Sequence, residues 1–139
     1  MLLVDTGPLV AAALPRDRDN AACKALLAAV PPPLLVPMLV ITEVAYFLGD
    51  RVGSSAEAAF AGAIAAGELV PEPVMDRDWP RIYELTTRYV DLRLGIVDAS
   101  VIAAAERLDL DTIATLDRRH FTAVPPAHTD AFRLVPDLS

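Results

Sequence analysis

Two short runs, Leu2-Leu3-Val4 and Leu34-Leu35-Val36, are apolar at every position. A strand with one wet face alternates apolar and polar residues; an unbroken apolar run fits a strand covered on both faces. Covered strands of this kind belong to parallel sheets flanked by helices. The segments between them carry helical signals. Pro8 suits the first turn of a helix running to about Leu14. Asp17 to Val30 places Ala22, Leu26, Leu27, Ala29 and Val30 on one stripe, with Asp17 or Asp19 at its start, and Pro31-Pro32-Pro33 stops it. Pro37 opens a helix with an apolar face of Val40, Val44, Phe47 and Leu48. Gly53-Ser54-Ser55 begins another, which Gly67 ends, and Glu68-Leu69-Val70 is a third short strand. Asp76 to Val90 reads as a helix with Pro80 in its first turn and Trp79, Ile82, Tyr83, Leu85 and Tyr89 along it. Leu94-Gly95-Ile96 is a tight turn, followed by a helix from Ile96 to Leu108. Thr112 to Leu116 and Phe132 to Val135 read as the last two strands. Strands alternating with helices predict one α/β domain with a largely parallel sheet over residues 1–139.

Composition narrows the functional classes. A chain with 54% hydrophobic and 22% charged residues is globular rather than disordered. A net charge of −7 argues against a passive nucleic-acid coat held by a basic surface. The single cysteine, Cys23, excludes a disulfide framework and a cysteine-built metal site; its apolar helix makes it a core residue. Asp5 interrupts what a secretory signal would need as an apolar segment. The uncharged run Ala25 to Ile41 is broken by Pro31, Pro32, Pro33 and Pro37. The expectation is a cytoplasmic protein without a membrane span.

The chemistry concentrates in four acids. Asp5 terminates the first strand and Asp117 a later one, the sheet end at which open α/β folds place their sites. Each would also serve as the cap of a following helix. Glu43 shares a helical face with Val40 and Phe47, and Asp98 with Val101 and Ile102. An ionised carboxylate against an apolar seam is costly unless a cation or donor satisfies it. The sequence shows no basic residue obviously placed to do so: Lys24 is the only lysine, in an apolar helix. Converging carboxylates raise one another's pKa unless a cation is present. Hard divalent ions such as Mg²⁺ or Mn²⁺, bound by carboxylate oxygens, resolve that repulsion and also activate water for phosphoryl displacement. The four acids make up more than half of the net charge of −7, so the acidic balance is no strong objection to a nucleic-acid substrate. Other chemistries fit less well. The glycines form no phosphate-binding loop, there is no nucleophile elbow, and His120 and His128 are not at zinc-ligand spacing.

The four acids sit in segments that resemble those of PIN-domain ribonucleases. Val4-Asp5-Thr6-Gly7-Pro8-Leu9 resembles their opening, and Ile41-Thr42-Glu43-Val44-Ala45-Tyr46 their second acidic motif. Gly95-Ile96-Val97-Asp98-Ala99-Ser100 resembles the third, and Ala114-Thr115-Leu116-Asp117-Arg118-Arg119-His120-Phe121 the fourth. Size and layout look like the toxins of VapBC-type toxin–antitoxin modules. The resemblance implies a single-domain α/β/α sandwich around a largely parallel central sheet, Mg²⁺- or Mn²⁺-dependent cleavage of RNA, a homodimer, and a cognate antitoxin protein as inhibitor. By motif match, Asp5 and Asp98 are the direct metal ligands, and Glu43 and Asp117 complete the pocket. Thr6 supports the first Asp, with Ser100 and Thr115 as further supporting hydroxyls.

Arg118, Arg119 and His120 follow Asp117 directly and are candidates for holding the RNA backbone, with Arg16 and Arg18 as weaker ones. Tyr46, Phe47, Trp79, Tyr83 and Tyr89 lie on helical stripes and read as core or dimer interface rather than as base-stacking platforms. Two alternatives stand beside the nuclease: a PIN-like module that binds RNA or protein without catalysis, and a phosphatase on a similar scaffold. The intact acids disfavour the first. Gly7, where a second acid would be needed, and the misplaced Lys24 disfavour the second.

Overall fold

A computed structural model describes residues 1–138. Its five strands form one parallel sheet, β1 (Leu2–Val4), β2 (Leu34–Pro37), β3 (Leu69–Glu72), β4 (Thr112–Ala114) and β5 (Arg133–Val135), in the order β3-β2-β1-β4-β5. The helices are α1 (Thr6–Ala13), α2 (Asn20–Ala29), α3 (Met38–Arg51), α4 (Ser54–Ala65), α5 (Asp78–Arg88), α6 (Ile96–Leu108) and α7 (Arg118–Ala123). β1 pairs with β2 through Leu3↔Leu35 and with β4 through Val4↔Ala114, so the central strand is the first one in the chain. Every residue of β1 and β2 is buried, which is why neither run alternates. The expected α/β sandwich is the observed fold.

The chain builds outward from β1 to β3, then crosses to β4 and β5 on the other side. The order therefore reverses between β1 and β4. At such a switch point the connections leave in opposite directions, and a crevice opens beyond the carboxyl ends of the strands. Asp5 follows β1 and Asp117 lies just past β4, one on each side of that crevice. The Asp5 N–H donates to the Ala114 carbonyl at 2.8 Å and ties the two strand ends together. Gly7 lets α1 come close: a Cβ there would stand 3.1 Å from the Leu116 Cβ.

Leu3, Val4, Val36, Val40, Val44, Val101, Ile102 and Ile113 are fully buried between the layers. α6 presents an unbroken buried stretch, Ala99 to Ala105. α5 packs along α6, with the small Ala103 beside Asp78 and Arg81. Cys23 is buried, as its apolar helix predicts. A second holdfast is ionic. Arg107 of α6 bonds Glu72 of β3 at 2.8 Å and Asp78 of α5 at 3.0 Å, and Arg81 makes two bonds to Glu106 at 2.8 and 2.9 Å. Glu106 also accepts the Ala127 N–H at 2.7 Å, which anchors the loop before β5.

Details differ from the sequence reading at element ends. The helix expected over Asp76 to Val90 runs from Asp78 to Arg88 and ends in a 3-10 turn at Val90–Leu92. The helix expected from Asp17 starts at Asn20, because the Asp17 carboxylate accepts the Asp19 N–H at 2.8 Å and closes a turn before it. α7 has only Phe121 buried and so left no apolar stripe to read. No helix among the described residues is long and apolar enough to cross a membrane.

Candidate active site

Asp5, Glu43, Asp98 and Asp117 line one open cleft of about 610 Å³ at the carboxyl end of the sheet. Each arrives by a different route. Asp5 is the residue between β1 and α1, and its backbone is extended, as an N-cap requires. Glu43 stands on α3, on the flank of the stripe formed by Val40, Val44 and Leu48. Asp98 lies in the first turn of α6. Asp117 caps α7: its Oδ1 accepts the His120 N–H at 3.0 Å.

A hydroxyl relay fixes the first and last of these acids. Thr115, fully buried, donates to Asp5 Oδ2 at 2.8 Å and accepts the Asp117 N–H at 2.9 Å. Thr6 lines the cleft, and its Oγ1 is buried with no hydrogen-bond partner among the described residues. Ser100 differs from its expected role. It sits one residue into the buried stretch of α6 and gives its hydrogen bond back to the Val97 carbonyl at 2.6 Å.

The electrostatics follow from crowding in a partly dry cleft. Burial pushes the Asp5 carboxyl up to about 6, helped by the charges of Glu43 and Asp117 and opposed by the Thr6 N–H and the Thr115 hydroxyl. Asp98 rises to about 7, again mainly through burial, with Asp5, Asp117 and Glu43 adding to it and His120 opposing. His120 stands between two of the acids, its Nδ1 2.6 Å from Asp117 Oδ2 and 3.1 Å from Asp98 Oδ2. Its Nε2 is 2.9 Å from the Leu92 carbonyl. Burial lowers its pKa, but the Leu92 carbonyl and the Asp117 and Asp98 charges outweigh this and raise it. With both ring nitrogens facing acceptors, the imidazolium is the form this geometry holds.

Two basic residues thus attend the acids where the sequence showed none. His120 is one, and its ring is engaged within the site instead of being free on the surface. Arg93 is the other. It lines the cleft from the end of the 3-10 turn, in a left-handed conformation with φ 59°. The i,i+3 spacing of Asp117 and His120 on α7 was a readable signal; Arg93 gave none, because a turn conformation brings it there. Arg118 donates to the Pro136 carbonyl, while Arg119 is exposed on the same helix. Arg16 and Arg18 lie exposed in the α1–α2 connection and line no part of this cleft.

The family model for the PIN domain matches residues 2–125. The curated Ribonuclease VapC26 of Mycobacterium tuberculosis is 32% identical over 135 residues, covering 97% of this chain and 100% of that protein. The chain belongs to the PIN-domain family. The fold agrees. The crystal structure of Mycobacterium tuberculosis VapC20, described as a sarcin-ricin loop cleaving toxin, superposes with a TM-score of 0.82 at 22% identity, over 94% of this chain and 99% of that one. A toxin–antitoxin complex from Klebsiella pneumoniae matches with a TM-score of 0.69 at 19% identity, over 98% of this chain and 97% of its own. In this PIN domain the four acids meet at the switch point of the sheet, the one place where connections leaving β1, β2 and β4 converge.

The donor set suits a hard divalent cation. Carboxylate oxygens from four residues face one cleft, and the unpartnered Thr6 hydroxyl offers a further oxygen beside them.

Proposed function

We propose that this PIN domain is a metal-dependent endoribonuclease and the toxin of a toxin–antitoxin pair. The observation that carries the reading is the convergence of Asp5, Glu43, Asp98 and Asp117 in one cleft, with raised pKa values at two of them. Asp5 and Asp98 hold Mg²⁺ or Mn²⁺, and Glu43 and Asp117 complete the pocket. The ion supplies water activation and charge stabilisation for displacement at a phosphodiester.

The chain's own residues prepare that site. Thr115 orients the Asp5 carboxylate and couples it to the start of α7. Thr6 lines the cleft beside Asp5, its hydroxyl buried and unpartnered among the described residues. Arg93 at the rim and Arg119 on exposed α7 offer planar guanidinium donors to the RNA backbone phosphates. Arg16 and Arg18 serve a more distant stretch of the same strand.

The partner reading rests on a second feature. An apolar groove of about 620 Å³ runs between α1, α2, α3 and α4, lined by Leu9, Ala13, Leu27, Leu48, Phe60 and Ala63 among others. A helix of the cognate antitoxin lays its apolar face there, and an Arg or Lys from it reaches the four acids and competes with metal. Tyr46, Trp79 and Tyr83 are exposed at 68%, 46% and 74%, and a second copy of the chain in a homodimer covers part of this apolar surface.

Purified protein incubated with single-stranded RNA tests the function. Cleavage should require Mg²⁺ or Mn²⁺, stop in EDTA and disappear in Asp98→Asn. Tight RNA binding with no cleavage of any RNA in a diverse pool would instead make the chain a binding module.

A further inference from the structure

The geometry points to His120 as a metal ligand through Nδ1, beside Asp98 and Asp117, so that the centre is a mixed oxygen–nitrogen site. This rests on the metal-dependent reading above and adds to it a residue outside the four-acid pattern.

The position of the ring carries the inference. One ligand atom each from Asp98, Asp117 and His120 lies within 4.8 Å of the others, the only such trio among the described residues. A ligating histidine typically gives its other N–H to a backbone carbonyl or carboxylate, which fixes ring and tautomer. His120 has that support: Nε2 lies 2.9 Å from the Leu92 carbonyl. Metal binding displaces the Nδ1 proton of the imidazolium to solvent. With Nε2–H still donated to Leu92, Nδ1 is then the coordinating atom, and it is the atom that faces both carboxylates. The backbone adds its own restraint. The His120 N–H is bonded to Asp117 Oδ1, so α7 holds the residue from main chain and ring together. A ring needed only to fill space or to contact RNA would not require both ends to be fixed.

A nitrogen ligand changes which ion the site prefers. All-oxygen sites suit Mg²⁺, whereas imidazole favours transition-metal ions. The mixed set therefore favours Mn²⁺ over Mg²⁺ more than four carboxylates alone would.

Mn²⁺ alone is the probe. Pulsed electron paramagnetic resonance of the wild-type protein with bound Mn²⁺ should show ¹⁴N coupling from one directly bound imidazole nitrogen. His120→Ala should abolish that coupling, weaken Mn²⁺ binding by roughly tenfold or more, and weaken Mg²⁺ less. If His120 serves only as a stand-in cation, its removal frees the acids and both metals bind more tightly. That result, or Mn²⁺ bound in the wild type without nitrogen coupling, overturns the assignment and leaves the metal-dependent reading standing. A wild-type protein that binds no Mn²⁺ at all overturns both.

Discussion

Asp5 and Asp78 are equally buried, each 5% exposed, yet they live in opposite electrostatic surroundings. Asp78 belongs to the cluster between β3, α5 and α6, where Arg107 stands 3.0 Å away and Glu72 shares the same guanidinium. In that cluster every buried acid has a built-in cation. Asp5 has a hydroxyl for a neighbour and three more acids across the cleft. Arg93 lines the same cleft, and His120 is bonded to two of the acids, Asp98 and Asp117. Burying a charge is tolerable when a partner of opposite sign is held at hydrogen-bond distance. The first region meets that condition from within the chain. The second meets it in part, which is what a site for an exogenous cation needs: a fold that supplied enough arginines to balance the cleft would have closed it to metal.

The contrast is broken most severely by exchanging the two kinds of loss. Asp98→Asn should lower RNA cleavage by at least about 10²-fold while the protein stays folded, since the substitution removes a metal-holding oxygen. Arg107→Ala should leave cleavage per folded molecule near wild type but cost about 3–5 kcal/mol of stability, because buried Asp78 and half-buried Glu72 lose their cation. Cleavage rates and urea denaturation read the two effects separately.

A smaller effect has opposite signs in the two regions. Without metal, Asp98→Asn should raise the melting temperature by several degrees, as it removes one of four repelling groups. Asp78→Asn should lower it, because Arg107 then loses one of its two carboxylates. Millimolar Mn²⁺ should reverse the order at the cleft, stabilising the wild type and leaving Asp98→Asn nearly unmoved.

The pH dependence of the metal-free protein sharpens the same point. Asp5 and Asp98 have folded pKa values raised to about 6 and about 7 from 3.8. Over that interval the folded state binds more protons than the unfolded chain, so their contribution to stability falls as pH rises. His120 acts in the same direction: its pKa is raised, and the stability it contributes below its unfolded value is lost as pH climbs through the folded one. Melting temperature should therefore decline from pH 5 to pH 8 without metal, and Asp98→Asn should flatten the decline. A metal-free melting temperature that rises over this range would mean that the acids are satisfied by other means. The smallest effect belongs to the exposed rim, where Arg119→Ala should raise KM two- to fivefold (an order-of-magnitude figure) with kcat nearly unchanged.

The sequence made the sheet readable because the buried strands carry no polar residue, and that pattern has few other uses in a short chain. Glu43 and Asp98 were readable because each sits among apolar neighbours at helical spacing. The cations' place among the acids was only partly legible, although His120 stands three residues after Asp117. His120 is placed by Leu92, 28 residues earlier, through a contact that only the assembled fold creates. Arg93 depends on a left-handed turn residue that carries no glycine to announce it. Ser100 shows the reverse error: a hydroxyl near an acid in sequence, turned by its helix toward the backbone.

Anomalous scattering from crystals soaked in Mn²⁺ tests the central claim most directly, because both acidic regions are exposed to the same ion in one map. The account predicts a strong peak in the cleft bounded by Asp5, Glu43, Asp98 and Asp117, and none beside Asp78 and Glu72, where Arg107 already supplies the charge. A peak at the Arg107 cluster, or an empty cleft at saturating Mn²⁺ near pH 8, would contradict it.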